Sequence, residues 1–537
     1  MGTLWWNGTF FTMKEEQEKV EAVYVEDGVI VDSGSKDELI SRYRERMKES
    51  IDVEGGYVYP GFVDSHLHMV GHGERLIRLD LSETHSASEM SEQLAEEVRE
   101  TPMGEWVFAE GWNENNFVDR KIFHRSELDD ITTEHPMYLT RICRHAALVN
   151  SKALALAGIT KDTPNPEGGV IVRDADGKPT GYLLDAATEL VKSVIPPVGK
   201  QYVERALKKA TKDMLRLGLV GGHTEDLHYY GGFKETLDAF KQVIDGDNIK
   251  FRAHLLVHHE AISEMKETGH KKGDVTPFIE LGAMKIFADG ALGGRTALLS
   301  APYTDDPRTN GVAMHQQEEL ERLVKKAREE DMPVAIHTIG DEALHLAIGA
   351  IEKHPCTNGR DRLIHVQVVN EEILKRLKNI RVVLDIQPRF VAADFPWVME
   401  RLGEVRLPYS FAWKRLLDSG LVCAGGSDAP IEPVDPLLGI HAAVTRKKPG
   451  ETHSGYLPDQ KLSMFEAIKL FTQGSATAIE KEETRGVIAS GFVADFTVLD
   501  EDLFDGDPDK ALRTNVLMTV VDNTIMYNRN EEVIKAE

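Results

Sequence analysis

Two histidines one residue apart, His66 and His68, close the stretch Pro60-Gly-Phe-Val-Asp-Ser-His-Leu-His68. Side chains alternate across a strand, so both imidazoles face one side while Leu67 faces the other. Such a pair suits a metal ion, and equally a solvated or hydrogen-bonded histidine pair. Four more polar residues, Lys285, His337, His365 and Asp428, fall in or at the end of apolar runs. Each has a plain alternative reading. His337 and His365 could be hydrogen-bonded core histidines, Lys285 could lay its stem through the core with its ammonium at a rim, and Asp428 could cap a helix after Gly425-Gly426-Ser427. Brought to one place, these groups would be costly to desolvate unless a cation compensated them.

The elements that would bring them together are strand-like. After the His66–His68 strand come Leu219 to Glu225, Phe251 to Val257, Ala283 to Asp289, Pro333 to Thr338, Leu363 to Val369, Val382 to Gln387 and Leu421 to Asp428, which makes eight runs. Amphipathic helical patterns such as Gln317 to Glu330 and Glu371 to Lys378 separate several of them. Alternating helices and continuous apolar strands mark a parallel sheet, and eight units predict an α/β fold of the (β/α)8 TIM-barrel type, with a doubly wound sheet as the alternative. The C-terminal strand ends of a barrel converge on one mouth, which is where the six residues would meet.

Residues 1–58 and 480–537 share a texture of short strands and turns, with a polar helix expected near 35–49. Neither end alone buries enough surface, so both are expected to form one small β-sandwich domain. Residues 59–479 form the barrel domain, and about 74–198 exceed any strand-to-helix connection. That stretch is read as an inserted subdomain after the first barrel strand, serving as lid or pocket wall. Within it and the barrel loops, Trp112, Phe117, Tyr303 and Phe390 could line an aromatic pocket. Gly290-Ala-Leu-Gly-Gly294 belongs to the loop after the fourth strand, and Arg295 beside it could hold a substrate carboxylate bidentately. Arg141 and Arg295 together would suit an amide bearing an aromatic or acidic group.

The totals exclude several classes. A net charge of -26 over 537 residues disfavours nucleic acid and anionic membrane as partners. Cys143, Cys356 and Cys423 are odd in number and far apart, which suggests reduced thiols and a cytoplasmic setting. The start, Met1-Gly-Thr-Leu-Trp-Trp6, carries no leader or acylation signal, and no run of about 18 apolar residues occurs. The chain lacks a Gly-x-Ser-x-Gly elbow, a phosphate-cradling Gly-x-x-x-x-Gly-Lys loop and a dinucleotide-binding Gly-x-Gly-x-x-Gly turn.

The chain resembles the amidohydrolase superfamily, in the branch that holds N-substituted formamide deformylases and YtcJ-like metal-dependent hydrolases. The resemblance runs nearly end to end through residues 60–68, Lys285-Ile-Phe-Ala-Asp-Gly-Ala-Leu-Gly-Gly-Arg (285–295), Ala-Ile-His-Thr-Ile-Gly-Asp (335–341), Leu-Ile-His (363–365), Gly-Gly-Ser-Asp-Ala-Pro (425–430) and Ala-Asp-Phe-Thr-Val-Leu-Asp (494–500). It implies that His66, His68 and Asp428 hold one divalent metal, that His337 and His365 hold a second, and that an N-carboxylated Lys285 bridges them. One or two ions per chain are expected, zinc being the ion these ligands suit best. Asp289 could take the place of Lys285. Arg141-Ile-Cys-Arg-His145 also resembles a segment of this branch, with Cys143-Arg144 in place of a more usual Asp-Gly, and His145 is a candidate oxyanion donor. Gln387, at the end of the seventh run, joins Trp112, Arg141, His145, Asp289 and Arg295 as a candidate substrate-binding residue.

The expected function is hydrolysis of a non-peptide C–N bond, of amide or N-formyl type, in a small molecule by metal-activated hydroxide, with Asp428 as proton acceptor and donor. Hydrolytic deamination at a single metal and a catalytically silent scaffold are the alternatives. A homodimer or larger homo-oligomer is expected from the resemblance.

Overall fold

The structure, a computed structural model, describes residues 2–530 except 83, 115–116, 118–119, 142–145, 167–168 and 197–198. It divides into two compact units, Glu74–Val198 and the remainder of the chain.

In the larger unit eight strands pair in parallel and in chain order: β1 (Phe62–Leu67), β2 (Leu219–Thr224), β3 (Arg252–His258), β4 (Ile279–Phe287), β5 (Val334–Thr338), β6 (Asp361–His365), β7 (Val382–Ile386) and β8 (Val422–Gly425). Leu256, Ala283, Ala335 and Ile364 form a buried apolar cluster across β3 to β6. Lys285 and His337 lie two residues beyond Ala283 and Ala335, so the strand alternation puts them on the same side, nearer the mouth. A short strand, Gly273–Thr276, runs antiparallel to β4, a hairpin that the apolar pattern does not signal because its residues are polar.

No ladder joins β8 to β1 among the described residues. The barrel is closed there by Asp428, whose backbone N–H donates to the His66 carbonyl at 2.7 Å, and by His68, whose N–H donates to the Ala429 carbonyl at 2.8 Å. The fully buried carboxylate of Asp64 reinforces this seam. It accepts the His66 N–H at 3.0 Å and the Ser427 N–H at 3.0 and 3.1 Å. Gly426 is required by the closeness of the strands, because a Cβ there would lie 2.6 Å from the His66 nitrogen and 2.8 Å from Asp64 Oδ1. Arg362 adds a third tie, pairing with Asp385 on β7 at 2.8 Å and donating to the Ser65 carbonyl on β1.

The two chain ends meet in sheet. Thr9–Phe11, Lys19–Val20 and Tyr57–Pro60 share a six-stranded sheet with Phe496–Leu499, Val516–Val521 and Thr524–Asn528. Gly2–Trp6, Ala22–Glu26, Val29–Gly34 and Met47–Asp52 make a second sheet of four strands. Trp5, Val23 and Val25 from the second sheet and Phe10, Val58, Phe496, Val498 and Val520 from the first belong to one buried cluster. The helix expected over 35–49 stops at Tyr43, and Met47–Asp52 is instead an edge strand parallel to Gly2–Trp6. Its mostly exposed, charged residues suit an edge, where such side chains discourage further pairing.

Glu74–Val198 has its own six-stranded sheet, from Leu79–Asp80 through Val107–Trp112, Met137–Arg141, Ala146–Val149 and Pro179–Asp185 to Gly169–Arg173. Among the described residues of the chain no helix is long and apolar enough to cross a membrane.

Replacing Gly426 by Ala is expected to force the two closing segments apart, lowering stability by about 1–3 kcal/mol, the usual cost of overpacking. Denaturant unfolding of the variant against wild type measures it, and an unchanged midpoint would show that the seam yields without cost.

Candidate metal centre and its family

His66 comes from β1 and His68 from the residue after it, Lys285 from β4, His337 from β5, His365 from the end of β6, and Asp428 from the segment after β8. All six line one cavity of about 400 Å³. The rings of His66 and His68 are 5.7 Å apart, those of His66 and His365 5.6 Å, and those of His337 and His365 4.5 Å. Asp428 Oδ1 lies 3.6 Å from Nε2 of both His66 and His68. Lys285 Nζ is 3.2 Å from His66 Nε2. Two of these residues have left-handed backbone, Asp428 with φ of 59° and His365 with φ of 78°. Strain of this kind persists where the surrounding structure imposes it, and it gathers at functional sites.

The atoms left free decide whether the set fits a divalent ion. His68 Nδ1 lies 2.7 Å from the Glu225 carbonyl, and His365 Nδ1 lies 2.8 Å from Gln387 Oε1. Both partners are oxygen acceptors, so each Nδ1 carries the proton and each Nε2 keeps its lone pair for the cavity. His337 is turned the other way, with Nε2 at 3.1 Å from the Gly290 carbonyl, which leaves Nδ1. His66, His365 and Asp428 each offer a ligand atom, and the three atoms lie within 4.8 Å of one another. Neutral imidazoles and a carboxylate at that spacing are the donor set of a zinc-like ion, so the residues fit.

The electrostatics agree except at His68: burial would lower its imidazole, but the Asp428 hydrogen bond and the Asp428, Glu225 and Asp226 charges raise it to about 9, so a ligated ion has to displace that proton. Burial, with the Lys285 and His365 charges, holds the His66 imidazole well below its usual range, and burial pulls His365 down to about 4. Burial likewise lowers the Lys285 ammonium. Burial alone would raise Asp428, but the hydrogen bond to His68 and the charges of His365, His68 and Lys285 outweigh it, so its carboxylate sits below the ordinary range.

The remaining candidates divide. Asp289 is buried and accepts from the backbone N–H groups of Leu298, Ile339 and Gly340 at 2.8 to 3.0 Å. Its oxygens hold the loops after β4 and β5, and Oδ1 also lies 3.5 Å from His337 Nε2, although the residue does not line the cavity. Arg295 is not in the cavity either, being paired with Asp305 at 2.7 Å at the surface. Gln387 orients His365 and is likewise absent from the cavity lining. Tyr303 is buried with its hydroxyl on the Ala297 carbonyl, whereas Phe390 lines the cavity and stacks on the His365 ring at 5.9 Å. In the smaller unit Trp112 and Phe117 belong to a buried apolar cluster, Trp112 Nε1 donates to the Leu139 carbonyl, and Arg141 is gripped by Glu114 at 2.9 Å. His145 lies outside the described residues.

Sequence reasoning passed over Asp64, although it shares a strand face with His66 and His68 by the same alternation that singled out the histidines. It also passed over Phe287 at the end of β4, Asp394 and Trp397 on the helices after β7, and Glu432 in the loop after β8, which line the cavity. Single residues scattered over different elements carry no spacing signal.

A nearly closed parallel barrel with these residues at its mouth defines a hydrolase of the metal-dependent barrel class, and the comparisons agree. Residues 49–527 match the amidohydrolase family, and the chain belongs to it. It is 50% identical to YtcJ of Bacillus subtilis over 99% of this chain and 100% of that protein. It is 27% identical to the N-substituted formamide deformylase of Arthrobacter pascens over 97% of this chain and 98% of that one. Among solved structures it is similar to a metal-dependent hydrolase of Pyrococcus horikoshii, with a TM-score of 0.78 and 29% identity over 95% of this chain and 99% of the other.

Replacing Gln387 by Leu should free the His365 ring and weaken metal retention about 10- to 100-fold, the usual loss when a ligand's supporting hydrogen bond is removed. Gln387→Glu, which keeps an acceptor, should retain the metal. Competition against a chelator distinguishes the two, and equal retention in both would remove Gln387 from this role.

Proposed function

We propose that the protein is a metal-dependent hydrolase that cleaves a non-peptide C–N bond, of amide or N-formyl type, in a small molecule. The observation that carries the reading is that two imidazoles whose outer nitrogens are tied to oxygen acceptors turn their inner nitrogens toward one buried carboxylate. His66, His68, His365 and Asp428 would hold one divalent ion, with His337 and Lys285 at the place of a second. Such an ion supplies Lewis acidity, bringing the pKa of water from 15.7 to about 7 and polarising a carbonyl.

Asp428, ionised at neutral pH, accepts the proton of the attacking water and returns it to the leaving nitrogen. Lys285 as an ammonium cannot ligate. Its lowered basicity favours the free amine, which can form a bond to carbon dioxide with loss of one proton and so present two anionic oxygens. Phe287, Phe390 and Leu292 keep the cavity apolar around the reacting groups, which strengthens each electrostatic contact inside it. The named activity of the Arthrobacter pascens relative supports N-formyl amides as the first substrates to try.

One observation favours a second reading. His66, His365 and Asp428 form the tight set, and His337, whose Nε2 is turned to the Gly290 carbonyl, is not part of it, as hydrolytic deamination at a single ion would require. Metal content per chain separates the two. Close to two ions with a carboxylated lysine supports amide hydrolysis, and one ion with an unmodified lysine supports deamination.

Purified protein should carry zinc or another divalent ion on elemental analysis and hydrolyse members of a panel of N-formyl, N-acyl and cyclic amides. His66→Ala and chelation should each lower turnover by a factor of about 10³ or more, the order expected when a water-activating centre is lost. Wild-type protein that carries no metal yet turns substrate over, with His66→Ala retaining that same turnover, would sink the proposal.

A further inference from the structure

The cavity wall opposite the ligand set carries charge of one sign. Asp394 ends the helix Arg389–Asp394 after β7, and Glu432 follows β8. Both line the cavity beside Phe390 and Trp397. The arginines nearby are spent. Arg389 pairs with Glu432 at 3.2 Å, Arg401 with Asp305 at 2.9 Å and with the Gly293 carbonyl at 2.9 Å, and Arg295 with Asp305. Among the described residues no hydrogen bond or ion pair engages the Asp394 carboxylate. Among the described residues that line it, the cavity therefore offers no unengaged cation to an acidic substrate, and outside the ligand set the one unengaged ionisable group is an acid.

A half-buried carboxylate with no partner, in an aromatic wall, is a desolvation cost that a bound cation would repay. Trp397 beside it already takes the Arg401 guanidinium over its ring at 4.7 Å and Phe390 stacks on His365, so the attraction for a bound cation rests on the carboxylate. We propose that Asp394 is a specificity residue, selecting amides that carry an amine or other cationic group on the part of the molecule away from the scissile bond. This rests on the reading of the site as an amide hydrolase, and it reverses the expectation of an acidic substrate drawn from Arg141 and Arg295. Burial and the neighbouring Glu432 charge push Asp394 up to about 7, and a cation beside it draws it back to the ionised form.

The test compares N-(5-aminopentyl)formamide with N-hexylformamide, which differ only in a terminal ammonium against a methyl group, on metal-loaded wild type, Asp394→Asn and Asp394→Glu. Wild type should favour the ammonium substrate about 10- to 100-fold in kcat/KM, the worth of one charge-assisted contact. That ratio should collapse to within about twofold in Asp394→Asn, chiefly through KM, and return in Asp394→Glu. A second arm measures binding of benzyltrimethylammonium, a permanent cation that cannot ligate a metal, by calorimetry. Asp394→Asn should weaken it by a similar factor. No preference in wild type, or a preference that survives Asp394→Asn, overturns the proposal. If neither formamide is hydrolysed, the hydrolase reading is what fails, and the binding arm still decides Asp394: equal affinity in wild type and Asp394→Asn overturns the role, and weaker binding in the variant upholds it.

Discussion

The carboxylate of Asp64 holds together the one place where the barrel's hydrogen-bond ladder is missing. Between β8 and β1 the strands are joined by Asp428 and His68 backbone bonds and by Asp64 reaching across to the Ser427 N–H. The same few residues supply His66, His68 and Asp428 to the cavity. Closure of the fold and assembly of the first half of the ligand set are therefore one event. Burial pushes Asp64 up to about 7, and its hydrogen bonds oppose that shift, so its acceptor strength is in constant use.

From that seam the rest of the centre is built by orientation. A histidine placed at a strand end has two nitrogens and free rotation. The Glu225 carbonyl and Gln387 remove that freedom for His68 and His365 by accepting from one nitrogen and leaving the other. Asp289 does comparable work one step removed, since its three backbone bonds fix the loop after β4 and the one that follows His337 at the end of β5. Asp289 and Gln387, candidate substrate-binding residues by sequence, thus hold the scaffold, while Phe390, Asp394, Trp397 and Glu432 line the cavity from the segments after β7 and β8.

The alternation of apolar strands and amphipathic helices was legible because eight repeats of one pattern reinforce each other. His66, His68, Lys285, His337, His365 and Asp428 could be picked out because each falls within or just beyond one of those apolar runs, where a polar group stands out. Arg295 and Asp289 misled because residue type states what a side chain can bind and not what already binds it. Asp305 claims the first and three amides claim the second. The strand Met47–Asp52 was illegible because its polar residues answer to an edge partner, Gly2–Trp6, that lies far away in sequence. Asp394 could be recognised only once the neighbouring arginines were seen to be occupied.

The left-handed backbone at His365 and Asp428 also bounds how far this protein can be improved. Strain of about 1–3 kcal/mol at such a residue is relieved by glycine, so a search for thermostabilising changes would be drawn to both positions. Glycine at either would delete a candidate ligand. The margin stored there is the cost of keeping an imidazole and a carboxylate aimed at one point, and a more rugged version of this barrel would have to find its stability elsewhere, in the loops and terminal sheets.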